Sequence, residues 1–94
     1  MRDTSSPSVL TDRIANANFH DVGEYSHKIV TKLMPANDDV MLAAIGVLFI
    51  LLSERFDIPA RRLFEYCENM VKREADQHPV LIYGLRDYLR EEFK

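Results

Sequence analysis

Apolar residues recur along the chain at intervals of three and four, and nowhere does strict apolar/polar alternation last long enough to make a strand. Phe19, Val22, Ser26, Ile29, Val30 and Leu33 recur at helical spacing, and Asn18 precedes them as a good N-cap with Asp21 three residues on. This predicts a helix from about Phe19 to Met34. Pro35 removes a backbone donor and restricts Met34, so the helix stops there. Asn37 offers a side-chain cap for a second helix, and Asp38 and Asp39 fall in its first turn, where the helix dipole favours negative charge. That helix should reach about Phe56. Its apolar residues, among them Val40, Met41, Ile45 and the run Val47 to Leu52, leave no polar face, so something must cover it all round.

Pro59 suits a first helical position, because its missing N–H would have no partner there. The third helix then runs to about Ala75, with Ala60, Leu63, Phe64, Cys67, Met70 and Val71 as its buried stripe. Pro79 starts a fourth helix that continues to the C-terminus, with Leu81, Ile82, Leu85, Tyr88, Leu89 and Phe93 as its apolar face. Val9 to Ala17 has a weaker pattern, a short helical turn after Ser8 that Asn16 and Asn18 oppose. Short connections imply antiparallel neighbours, so the expected fold is all-α, a small four-helix bundle around the central apolar helix. Residues 1–10 are expected to be a disordered tail and 11–94 a single helical domain.

At 94 residues the chain has room for one core, and 47% hydrophobic with 29% charged residues is the balance of a water-soluble globule. A domain this small buries only about two-thirds of the surface its unfolded chain exposes, so self-association would stabilise it. A homodimer is the expectation, with Ala43, Ala44 and Gly46 as the small residues that let another helix approach. The chain's own helices are expected to close over the apolar helix, and any shortfall would leave a strip that marks an interface. The uncharged run from Val40 to Leu52 is too short for a bilayer, which needs about 20 residues. A lone Cys67 and the lack of an apolar stretch in the first ten residues point to the cytoplasm.

Chemistry is sparse. His20, Glu24 and His27 share a helix face, and Glu24 with His27 has the Glu-x-x-His spacing of helical di-iron bundles. No second Glu-x-x-His occurs, so the face reads as solvated and no metal or other cofactor is expected. Cys67 falls inside the apolar stripe of the third helix and reads as a core residue, and no phosphate loop, nucleophile elbow or zinc-protease motif is present. Leu52 to Tyr66 resembles a helix-turn-helix unit: Ser53 falls where two helices would cross, Asp57 takes the left-handed turn position, and Arg61 and Arg62 would face DNA. That register needs Tyr66 inward and Phe64 outward, opposite to the apolar stripe, and a net charge of −3 argues against nucleic acid.

Arg62, Tyr66, Asn69 and Arg73 form a row on the third helix, rich in the residue types found at binding hot spots. The sequence therefore implies no enzyme and no membrane protein. It implies a helical interaction module, an adaptor, regulator or inhibitor that occupies another protein's surface, with a DNA-binding regulator and then a metal-binding helical protein as alternatives.

Overall fold

The computed structural model describes residues 7–93, which form five helices and no strand. They are α1 (Pro7–Ala15), α2 (Phe19–Leu33), α3 (Asp38–Arg55), α4 (Ala60–Gln77) and α5 (Pro79–Glu92). The fold is all-α. The helix α1 takes residues 7–10 from the expected tail, and the rest of that tail lies outside the described residues. Nine residues make a marginal helix alone, so its order comes from docking on α4.

Local chemistry explains most boundaries. The Asn18 side chain accepts from the backbone N–H groups of His20 (2.8 Å) and Asp21 (3.4 Å), which opens α2. Asn37 occupies the corresponding place before α3 without a side-chain bond, so the two acids of the first turn carry that start. Pro59 is the N-cap of α4 and not its first helical residue, whereas Pro79 does open α5. Between α3 and α4, Asp57 adopts φ 59, the left-handed conformation. The N–H of Ile58 reaches the carbonyl of Ser53 at 2.9 Å and that of Asp57 reaches Glu54 at 3.1 Å, the paired bonds of a Schellman stop.

The hub of the molecule is α4, which packs against α1, α3 and α5, while α2 packs on α5. Phe19, Met70 and Ile82 form the core cluster from α2, α4 and α5, with Val22 and Ala75 beside them. The apolar helix α3 is therefore at the edge and not at the centre, which corrects the expected arrangement. The physical reason lies in its pattern. The helices α2, α4 and α5 each carry one sided stripe and find one another, whereas α3, apolar all round, specifies no packing face.

A second correction concerns α4. Tyr66 is half-buried and Met70 buried, while Phe64 and Cys67 of the expected stripe face solvent. The helix is turned toward its Tyr66–Arg73 side because α1 docks there. Tyr66 and Arg73 bury long amphipathic stems against it, and the Arg73 guanidinium donates to the Ala15 carbonyl at 2.8 Å.

Candidate functional site

Two surfaces compete for attention, and they differ in what remains unsatisfied. The first is a cleft of about 470 Å³ between the α1–α2 connection and the α4–α5 connection. Glu74 is buried in its wall, 2.9 Å from Nδ1 of His78, one turn on, and 3.7 Å from the Arg73 guanidinium. Every buried side-chain polar atom among the described residues has a partner. Glu74 thus finds its partners on its own helix, and Arg73 ties that wall to the end of α1 through the Ala15 carbonyl. Its sequence signal was a glutamate on the inward row of α4 with a histidine four residues later, which the hydrophobic pattern does not highlight.

The second surface is α3 itself. Ser53, at 2% exposure, lies where α3 meets α4, and Met41 is buried at the other end. Between them, at about 100° per residue, Phe49 faces the rest of the chain. The opposite side of the helix holds Val40, Ala43, Ala44, Val47, Ile50 and Leu51, and all six are exposed. Leu42, beside Phe49 on the facing side, and Leu48 also leave more than half of their surface to water. Beside Met41 a cleft of about 630 Å³ separates α3 from α2 and α5, so the helix does not close onto its neighbours there either. The expected closure by the chain's own helices does not occur. Gly46 stands at the edge of the outward face, and a Cβ there would meet nothing within 4 Å, so its smallness serves no contact inside the chain.

The other sequence-derived sites fare differently. Of the row on α4, Tyr66 and Arg73 are engaged with α1, Arg62 lies 5.9 Å from the Tyr66 ring, and Asn69 is exposed. Hydrogen bonding from Arg62, and after it from Thr11 on α1, holds the Tyr66 phenol below its ordinary pKa. The row is thus the seat of the chain's own first helix. His20 and Glu24 do come together, with Asp21 and not His27: one ligand atom from each lies within 4.8 Å of the others, on exposed side chains. His27 instead stacks against Tyr88, ring centroids 4.3 Å apart. Partial desolvation raises the pKa of the exposed Cys67 thiol, which keeps it from being a ready nucleophile.

The segment Leu52 to Tyr66 has the turn its pattern predicts: Asp57 left-handed, Ser53 and Ile58 buried, Tyr66 turned in and Phe64 out. Arg61 and Arg62 are exposed at the start of α4. No helix among the described residues is long and apolar enough to cross a membrane. No protein-family model matches the chain, and no curated protein or solved structure is significantly similar to it.

Proposed function

We propose that this chain is a protein-interaction module, an adaptor, regulator or inhibitor that works by contact and not by catalysis, with α3 as its working surface. The carrying observation is the uncharged outward side of α3, exposed from Val40 to Leu51. Monomeric proteins rarely leave a contiguous apolar patch beyond a few hundred Å² in water, and larger ones mark binding surfaces. On this reading α3 stays at the edge of its own chain and is covered by the protein it meets. The cytoplasm suits a chain whose single thiol is exposed. The test compares wild type with Val47→Glu for association of any kind, with itself or with a host protein. Loss of association with helical content retained is the expected result. Associations indifferent to the substitution, or a wild type that associates with nothing, would overturn the proposal.

A second reading, DNA binding through α3, the turn and α4, is favoured by the inward Tyr66 and the left-handed Asp57. Glu65 and Glu68 on the exposed side of α4 oppose it, as does the net charge of −3. Duplex affinity that falls steeply with salt and collapses in the double variant Arg61→Ala, Arg62→Ala would establish it. Salt-independent or absent binding removes it.

A further inference from the structure

We propose that the protein covering α3 is a second copy of this chain, packed with the two α3 helices antiparallel about a twofold axis near Val47. This rests on the interaction-module reading and names the occupant of that surface.

Area is the first support. The chain exposes 7330 Å², against about 5,600 Å² expected for a folded monomer of its mass. The surplus is about 1,700 Å² over the whole chain, of which the apolar side of α3 is one part, and stable homodimers bury about 2,000 Å² or more per pair. The Cα radius of gyration, 14.2 Å, likewise exceeds the roughly 12 Å of a compact domain of this length.

Chemistry is the second. A surface with no charge from Val40 to Leu52 calls for a partner segment equally free of charge, and α3 is such a segment. A self-pair also covers the face wherever the protein is made, whereas a foreign partner would leave it bare until met. Isologous pairing closes on itself and so does not propagate into filaments.

Side-chain size then selects the direction. In an antiparallel pair centred on Val47, the level of Ala43 and Ala44 in one helix coincides with that of Ile50 and Leu51 in the other. Small residues meet large ones, as interdigitating layers require. A parallel pair would set alanine against alanine and leave a void, and would bring Glu54 level with its own copy. The antiparallel pair also opposes the helix dipoles and brings the acidic start of α3 level with Arg55 of the other helix.

The experiment is sedimentation of the full chain over a wide concentration range. Wild type should sediment as a dimer, and Val47→Glu should weaken dimerisation by about a hundredfold or more, as expected for burying unpaired charges. Should that variant unfold, crosslinking decides in a Cys67→Ser background. Val47→Cys, at the axis, should crosslink to its own copy under mild oxidation, and Ala43→Cys should do so only when mixed with Leu51→Cys. Self-crosslinking of Ala43→Cys as efficient as that of Val47→Cys would overturn the antiparallel arrangement, and a wild type that is monomeric throughout would overturn the dimer. A monomeric wild type that binds a host protein through α3 would sink the self-pairing alone. A monomer that binds nothing would sink the interaction-module reading with it.

Discussion

Tyr66 illustrates how one side chain can report on the packing of a whole helix. Its phenol is held below the usual 10.0 by Arg62 first and by Thr11 of α1 second. In an ultraviolet titration of the folded chain, Tyr66 should therefore ionise below the ordinary range of a phenol. Arg62→Ala should raise it toward that range, because the largest cause of the lowering is removed. The sign of the linked stability follows. A phenol whose folded pKa is lowered favours the folded state only when ionised, so its contribution is complete above 10, vanishes as pH falls through the lowered value, and is absent at neutrality. Arg62→Ala should accordingly lower the urea midpoint in the alkaline range and leave it unchanged near pH 7. Glu74 is the contrasting residue, buried and bonded to His78 at 2.9 Å. Glu74→Ala should cost about 1 kcal/mol in urea unfolding, because it removes the acceptor of the His78 ring on a buried position while leaving donors that water can reach.

Among the elements, the α3–α4 turn is the most strictly specified. Asp57 at φ 59 bears a conformation that glycine adopts without penalty, so Asp57→Gly should be neutral or stabilising by up to about 1 kcal/mol, and Asp57→Val should destabilise by about 1–2 kcal/mol in thermal unfolding. The helix α1 is at the other extreme. It is short, weakly patterned and held by Tyr66 and Arg73, which made those two residues look like a site for a foreign partner when only the sequence was considered. What Tyr66 and Arg73 meet in the fold is α1, more than fifty residues earlier on the same chain.

For the molecule as a whole, stability should divide between a small closed core and an open apolar helix. Ile82, 3% exposed among Phe19 and Met70, should cost about 2–4 kcal/mol on truncation to alanine at any protein concentration. Thermal unfolding of wild type should shift upward with protein concentration, since association stabilises by mass action, and the shift should disappear in Val47→Glu. A transition temperature independent of concentration would show that α3 contributes nothing through association.

The all-α class, the four longer helices and their ends were legible along the chain, because caps, prolines and helical periodicity act within a turn or two. Asn18, Pro35, Asp57 and Pro79 each carry their own local reason. Which face of α4 turns inward was not legible: Phe64 and Cys67 continue the apolar stripe, yet the docking of α1 rewards Tyr66 and Arg73 more, and that competition involves residues some fifty positions apart. The place of α3 was equally hidden. Apolarity on every side says that a helix must be covered without saying by what, and only the packed arrangement of the other helices decided that they pair with one another and leave it at the edge.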